Sequence, residues 1–511
     1  MEQQNNIEVQ QFRLRKGLIQ PEALKLVPEA MARRYNVMPL EVKGRVLRVA
    51  MANPNDIIAL EALEARSKMH IESELASSEE IQDAIDLSYQ SYEKIKEQIA
   101  NISLPQPSET SIEEIASDTV GDAPIAKALT VIIDGAIKAR ASDIHIQPEE
   151  DGLRVRYRVD GTLQDALNLP LITSVPIISR LKILAKMNIA DRQHPQDGQL
   201  TVKPKDHPEI DIRVGTIPII NGEMAALRLL YKSRALMTLP QLGFLPQSLA
   251  TYEEMLKVPY GVILVTGPTG AGKTTTLYAS INTLDRKGRN IITIEDPVEY
   301  HFKNINQIQV NPRSGLTFAS GLRSILRLDP DVLLVGEIRD DETANIAIQS
   351  ALTGHLVLSS IHANDAIGVV SRLLDLEIEP FLIAASLIGV VAQRMGRRIC
   401  PECAEPVEIP ETERVAYTKE TGDERSKFLY GQGCNACANT GYQGRIGFYE
   451  ILRVSEKIKT MLLNGANASE LREQAIKEEM APLIRDGMLK VKANLTTPSE
   501  VLRNAYSISQ D

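Results

Sequence analysis

The stretch Gly267-Pro268-Thr269-Gly270-Ala271-Gly272-Lys273-Thr274 decides the reading of this chain. It fits the phosphate-binding loop pattern G-x-x-x-x-G-K-[ST] at every position. The apolar run Val262-Ile-Leu-Val-Thr266 precedes it and reads as a strand; good helix formers follow from Thr275 to Leu284. Strand, glycine-rich turn and helix are the context the pattern needs. The glycines let backbone N–H groups close around a phosphate, and the helix N-terminus adds the positive end of its dipole. Lys273 is placed for the β and γ phosphates, and the Thr274 hydroxyl for Mg²⁺. The bland alternative is a chance glycine-rich turn, which the flanking strand and helix disfavour. The segment Gly267 to Thr275 is thus expected to bind a nucleoside triphosphate such as ATP.

Working outward, Ile291-Ile-Thr-Ile-Glu295-Asp296-Pro297-Val-Glu299 reads as a buried strand that ends in three carboxylates. In an open α/β sheet, ligands sit at the carboxyl ends of strands. Glu295, Asp296 and Glu299 are therefore expected beside Mg²⁺ and a hydrolytic water, with Pro297 stopping the strand and turning Glu299 back to the site. Asp331-Val-Leu-Leu-Val-Gly336-Glu337-Ile-Arg339-Asp340 is a second apolar strand leading to an acid. Here Gly336 intervenes before Glu337, a departure from the commonest Walker B pattern. Glu337 is expected to hold the Mg²⁺ shell or orient water. His355 and His362 flank a third strand, Leu356 to Ser360. A histidine is more often a satisfied structural residue, but two beside a nucleotide site point to γ-phosphate sensing.

The chain has 511 residues, 43% of them hydrophobic, which is enough for several cores. The net charge of −10 argues against bulk nucleic-acid binding, where a basic face supplies most of the affinity. The polar N-terminus has no apolar signal core. The longest apolar stretch, Phe381 to Ala392, has twelve residues; a spanning helix needs about twenty, so it reads as a buried core helix. The expectation is a cytoplasmic protein that meets membranes through partners. Pro21 to Tyr35 reads as a helix, Arg45 to Met51 as a strand, and Met51 to Asp56 as a loop capping a helix at Asn55 or Asp56. A further capped helix starts at Ser78 and runs toward Lys96. Residues 101–120, rich in Pro, Ser, Thr and acids, read as a linker. A helix from Ala123 to Arg140 then leads into alternating strands, and in Leu153-Arg-Val-Arg-Tyr-Arg-Val-Asp160 the arginines share one face. From about residue 236, short apolar strands alternate with helices, the mark of a parallel sheet.

All four cysteines fall in two pairs, Cys400-Pro-Glu-Cys403 and Cys434-Asn-Ala-Cys437, thirty residues apart. Two CxxC knuckles in a cytosolic chain point to a structural tetrahedral Cys₄ Zn²⁺ site. Disulfides are disfavoured by compartment, and a redox CxxC has no use for a second pair.

These blocks together resemble the secretion ATPases of type II secretion and type IV pilus assembly, over nearly the whole chain. Glu295-Asp-Pro-Val-Glu299 resembles the family's aspartate box, Asp329 to Arg339 its Walker B segment, and Thr353-Gly-His355 through Ile361-His362 its histidine box. Ala141-Ser-Asp-Ile-His-Ile-Gln-Pro148 and Arg158-Val-Asp-Gly161 resemble its second N-terminal domain. The resemblance implies an α/β fold: an α/β first N-terminal domain (1–100), the linker (101–120), a PAS-like second N-terminal domain (121–235), a RecA-like P-loop ATPase core (236–398), a tetracysteine zinc-binding lobe (399–447) and a C-terminal helical part (448–511). It also implies a homo-hexamer in which Glu299 is the catalytic base, Glu337 the Walker B acid, and Arg213 and Arg228 reach a neighbour's γ-phosphate. The tetracysteine element occurs in extension and type II secretion members and is generally missing from retraction members, which implies extension. Residues 22–90 resemble the family's first domain, which docks onto inner-membrane assembly proteins. Some members bind cyclic di-GMP through a repeated R-L-G-x-x-L block; Arg13-Leu-Arg-Lys-Gly17 is at best a fragment of it, and that ligand is not expected. The alternatives are a RecA-like nucleic-acid motor or DNA-uptake ATPase, which the acidic balance disfavours, and a non-hydrolysing nucleotide-binding module, which the three carboxylates disfavour.

Overall fold

A computed structural model describes residues 21–78, 80–82, 84–85, 122–204, 208–231, 237–285 and 287–505. The linker read at 101–120, the fragment at Arg13 to Gly17 and the stretch of the Ser78 helix toward Lys96 lie outside them. The chain divides into two compact units. One holds residues 1–230 with 400–404 and 431–443; the other holds 231–399, 405–430 and 444–511.

In the first unit, the reading of one helix from Pro21 to Tyr35 is corrected to two, Pro21–Leu26 and Glu29–Tyr35. Pro28 separates them: it has no N–H to continue the first helix and disfavours helical geometry at Val27 before it. β1 (Val37–Lys43) pairs antiparallel with β2 (Val46–Met51), and β2 pairs parallel with β3 (His70–Leu75). Asp56 caps the helix Ile57–Ser67, accepting from the Ala59 N–H at 3.1 Å, as the sequence leads one to expect. A six-stranded sheet follows. Its strands are β4 (Asp143–Pro148), β5 (Leu153–Val159), β6 (Thr162–Leu169), β7 (Gln196–Val202), β8 (Ile210–Ile219) and β9 (Gly222–Tyr231), in the order β6-β5-β4-β9-β8-β7. Along β5, Leu153, Val155 and Tyr157 are buried while Arg154, Arg156 and Arg158 share the outer face. The helices Asp122–Lys138 and Ser174–Leu184 complete this region.

The second unit is built on a seven-stranded sheet: β10 (Gly261–Thr266), β11 (Ile291–Glu295), β12 (Asn306–Gln309), β13 (Val332–Ile338), β14 (Leu356–Ile361), β15 (Leu387–Ile399) and, beyond the short strands β16 (Ala404–Glu408) and β17 (Lys427–Gly431), β18 (Tyr442–Arg453). The order is β12-β11-β13-β14-β10-β15-β18. The first six of these strands are parallel to their neighbours. β10, β11 and β14 are buried at every residue, as parallel strands covered on both faces must be. The stretch Phe381 to Ala392, read as one core helix, is corrected to the end of a helix, Pro380–Ser386, and the start of β15. A Cβ on Gly389 would stand 2.4 Å from the Leu452 carbonyl oxygen, so glycine permits the close approach of β18. The tetracysteine segment is an insertion between the neighbouring strands β15 and β18.

Candidate active site and metal centre

Parallel pairing fixes where the chemistry gathers. Thr266 pairs with Ile361, Val335 with Ser359 and Ile294 with Val335, so β10, β11, β13 and β14 end along one edge. The phosphate-binding loop, Asp296 to Glu299 and His362 follow those ends, and Glu337 is the last residue but one of β13. Between Val335 and Ile338 the register of β13 against β14 shifts. Three steps on β13 match two on β14, a bulge that re-aims Glu337 and accounts for the intervening Gly336. A Cβ on Gly336 would lie 3.3 Å from the Glu295 Cα. The Glu337 carboxylate accepts from Arg339 at 2.5 Å, and His362 Nε2 lies 3.5 Å from its other oxygen.

The loop backbone is shaped from beneath. Gly267 has φ +147° and a Cβ there would meet the Gln393 carbonyl oxygen at 2.4 Å; Gly272 at φ +88° leads into the helix Lys273–Thr283. Pro268, Thr269, Gly270 and Thr274 are exposed, Ala271 is buried, and Thr275 is half-buried in the first turn of the helix. Lys273 Nζ donates to the carbonyls of Gly267 at 2.8 Å and Pro268 at 3.3 Å. Burial holds its pKa below the usual lysine range; Arg394 adds to this and Glu337 opposes it.

Asp296 is exposed and Glu299 half-buried at this edge. Glu295 is placed differently from the expectation: it is 3% exposed, and its oxygens accept from Tyr278, from Thr293 at 2.6 Å and from Gln307 at 3.2 Å. Strand alternation puts it on the face of Thr293, away from an open ligand position. The reading of His355 as a nucleotide contact is corrected. It precedes β14, its carbonyl accepts from Gly261 at the start of β10, and its Nδ1 is 2.8 Å from the Ser350 carbonyl. Within the subunit it lies at the opposite edge from His362, roughly 20 Å away at 3.3 Å per residue. Arg213 lies on β8 opposite Gln199, and Arg228 on β9 opposite Asp143. Arg228 Nε is 3.1 Å from Asp143 Oδ1, and Arg158 Nε is 3.7 Å from Asp143 Oδ2.

Sequence reasoning missed Tyr278, Gln393 and Arg394. Gln393, midway along β15 and one residue past the partner of Thr266, donates to the Ala271 carbonyl at 2.5 Å and accepts from the Thr276 hydroxyl at 2.8 Å. Arg394 donates to the Asn364 carbonyl at 2.6 Å, and burial lowers its pKa.

The four cysteine sulfurs lie within 4.8 Å of one another. Cys400–Cys434, Cys403–Cys437 and Cys434–Cys437 are 3.8, 3.9 and 3.8 Å apart. Tetrahedral ligation with Zn–S bonds of about 2.3 Å places sulfurs about 3.8 Å apart, so the set fits the metal, whereas a disulfide needs about 2.05 Å. The N–H groups of Gly433, Cys434 and Gly441 point at the sulfurs of Cys403, Cys437 and Cys437, at 3.3, 3.2 and 3.3 Å, and favour thiolates. Burial pushes the Cys400 thiol up to about 11, a cost that a cation among the sulfurs would offset.

A phosphate-binding loop on a seven-stranded sheet, with acids at the ends of the adjoining strands, defines a RecA-like P-loop nucleoside triphosphatase. Residues 118–503 match the family described as type II/IV secretion system protein, and residues 7–94 match the MshEN domain. The chain belongs to the type II/IV secretion system protein family and is an ATP hydrolase of that family. It is 42% identical over 493 residues to the type IV pilus assembly ATPase PilB of Myxococcus xanthus, covering 95% of this chain and 87% of that one. It is 45% identical over 383 residues to the type II secretion system protein E of Pseudomonas aeruginosa, covering 75% and 76%. Among solved structures, the pilus retraction motor PilT with bound ADP matches with a TM-score of 0.50 at 26% identity, over 74% of this chain and 97% of that one. The ATPase DotB of Legionella pneumophila shares the fold, with a TM-score of 0.55 at 20% identity over 73% and 94%. Among the described residues, no helix is long and apolar enough to cross a membrane.

Proposed function

We propose that this protein is a homo-hexameric cytoplasmic ATPase that drives assembly of a type IV pilus or a type II secretion pseudopilus. It would act at the inner face of the membrane through platform and assembly proteins. The observation that carries the reading is the family match across the core together with the acids at the edge that holds the P-loop. PilB and protein E relatives at 42% and 45% identity, against 26% for the retraction motor, favour assembly over retraction. The match to the family gives no support to a nucleic-acid motor.

In this reading, the loop N–H groups from Gly267 to Thr275 and the Lys273 ammonium hold the triphosphate, and Lys273 exchanges its loop carbonyls for phosphate oxygens. Mg²⁺ supplies charge neutralisation between phosphates when bound. Thr274 and Glu337 would hold it or its water shell, and Asp296 lies at the same edge. Glu299 orients and deprotonates the attacking water, and His362, beside Glu337, senses the γ-phosphate. Arg213 and Arg228 complete a neighbour's site. Glu295 serves as a buried brace, and His355 is left out of the site. Cys400, Cys403, Cys434 and Cys437 hold a structural Zn²⁺.

Steady-state phosphate release and nucleotide binding by Glu299→Gln test the catalytic assignment. ATP binding should persist and turnover stop; turnover at the wild-type rate refutes it. In cells, Lys273→Ala expressed beside the wild type should poison mixed rings and reduce surface filaments or secretion. Unchanged filaments and secretion would count against the assembly role.

A further inference from the structure

A hydroxyl–carboxylate pair buried between the P-loop helix and β11 links Lys273 to Glu299. Tyr278 lies on the helix Lys273–Thr283 and is 2% exposed. Its ring meets Phe302 edge-on at 4.8 Å and Tyr300 at 6.2 Å. Its hydroxyl donates to Glu295 Oε2 and accepts from the Glu299 N–H at 3.3 Å. A backbone N–H can only donate, so the hydroxyl accepts at Glu299 and its own proton is left to point at Glu295. Burial and the neighbouring carboxylate Glu295 push the Tyr278 hydroxyl well above the ordinary tyrosine range, so it stays a donor.

The rest of the loop is held by the same network. Gln307 donates to Glu295 at 3.2 Å and to the Tyr300 carbonyl at 2.9 Å, and accepts from the Phe302 N–H at 2.8 Å. Gln309 accepts from the Val298 N–H at 3.2 Å. The backbone from Val298 to Phe302 is thus fastened at four residues, and at Glu299 the fastening comes from the helix that carries Lys273. Lys273 and Tyr278 are five residues apart on that helix, about 7.5 Å along its axis, and move as one body.

We infer that Tyr278 and Glu295 are positioning residues for hydrolysis, which set the backbone at Glu299 and tie the aim of its carboxylate to the phosphate-binding helix. Phosphate binding at Lys273 is thereby transmitted to the base. The inference rests on the reading of Glu299 as that base.

Tyr278→Phe keeps the ring and its edge contacts and removes only the hydroxyl. In the full-length protein, kcat should fall about ten- to a hundredfold, the scale of a misplacement of about 1 Å, while ATP Kd and KM stay within about twofold. Glu295→Gln, of the same shape, should give the same split and serves if the first variant fails to fold. The decisive measurement is single-turnover hydrolysis in the Glu299→Gln background. There Tyr278→Phe should change the residual rate by less than about twofold, because its effect runs through Glu299. An equal loss in both backgrounds, or wild-type kcat in both folded variants, overturns the proposal. Inactive Glu299→Gln with unimpaired Tyr278→Phe removes the positioning role alone. Wild-type turnover by Glu299→Gln removes the base and the positioning role together.

Discussion

Replacing Gln393 by leucine removes the brace beneath the P-loop while keeping most of the buried volume. The side chain is 1% exposed and joins the Ala271 carbonyl at 2.5 Å to the Thr276 hydroxyl at 2.8 Å. Leucine takes that partner from both. The Thr276 hydroxyl has a substitute in the Gly272 carbonyl one turn back, the bond that helical threonines commonly make. The Ala271 carbonyl loses its Gln393 amide donor. One stranded buried acceptor costs about 1–3 kcal/mol. At about 2–4 °C per kcal/mol for a domain of this size, the midpoint of that range lowers the thermal midpoint by about 4–8 °C. If the cost falls on the phosphate-ready loop alone, about 2 kcal/mol becomes about a 30-fold rise in nucleotide Kd. Titration with a fluorescent ATP analogue, beside a thermal melt, reads both quantities. A folded Gln393→Leu protein with wild-type nucleotide affinity refutes the reasoning, since the loop would then hold its shape through its glycines and Lys273 alone.

Elemental analysis of reduced, folded protein should find one Zn²⁺ per chain; Cys400→Ser should lose it and open the segment 400–443 to protease with nucleotide affinity intact, and metal-free folded wild type overturns the site. Arg213→Ala and Lys273→Ala subunits, each inactive, should partly recover ATPase activity when mixed, because some interfaces then hold both halves of a site; no recovery in demonstrably mixed oligomers removes the action in trans. Burial, assisted by the Arg158 cation, lowers the His145 pKa below its ordinary value of 6.5. Its contribution to stability is therefore complete above about pH 6.5 and is lost as pH falls through the folded value. Thermal midpoints from about pH 7.5 down to about pH 5.5 should drop in the wild type and drop less in His145→Gln; an equal drop in both rules the residue out.

The core was legible because its strands are short apolar runs bounded by glycine and proline, and because the P-loop sets the direction of the sheet. Val262 to Thr266, Ile291 to Glu295 and Leu356 to Ser360 could be read in this way. Leu387 to Ala392 could not: a run buried on every side has no periodicity, and only pairing with β10 and β18 makes it a strand. His355 and His362 flank a single strand in a parallel sheet, so the sequence itself implies their separation. Glu295 follows Thr293 by two residues and shares its buried face, while Asp296 and Glu299, past the strand, face the edge. Tyr278 and Gln393 were illegible for another reason. Their partners lie 17 and 122 residues away, and no local pattern encodes such a bond.

The charges at the edge bear on why a second subunit is proposed. Among the described residues, the cations Lys273, Arg339 and Arg394 stand at this edge with the acids Asp296, Glu299 and Glu337, and Asp365 adds a further negative charge beside Arg394. Arg339 is bonded to Glu337 at 2.5 Å, Arg394 to the Asn364 carbonyl at 2.6 Å, and Lys273 to the loop. A triphosphate adds several more negative charges there. Mg²⁺ offsets part of them, but the γ-phosphoryl oxygens still need donors as the bond breaks. Arg228 has the character of such a donor: its side chain is 60% exposed, yet its Nε is fixed by Asp143 at 3.1 Å. In the proposed hexamer that anchoring would aim it and that exposure would leave it open to another chain. A single subunit should therefore bind ATP well and hydrolyse it slowly, and the rate should rise with assembly.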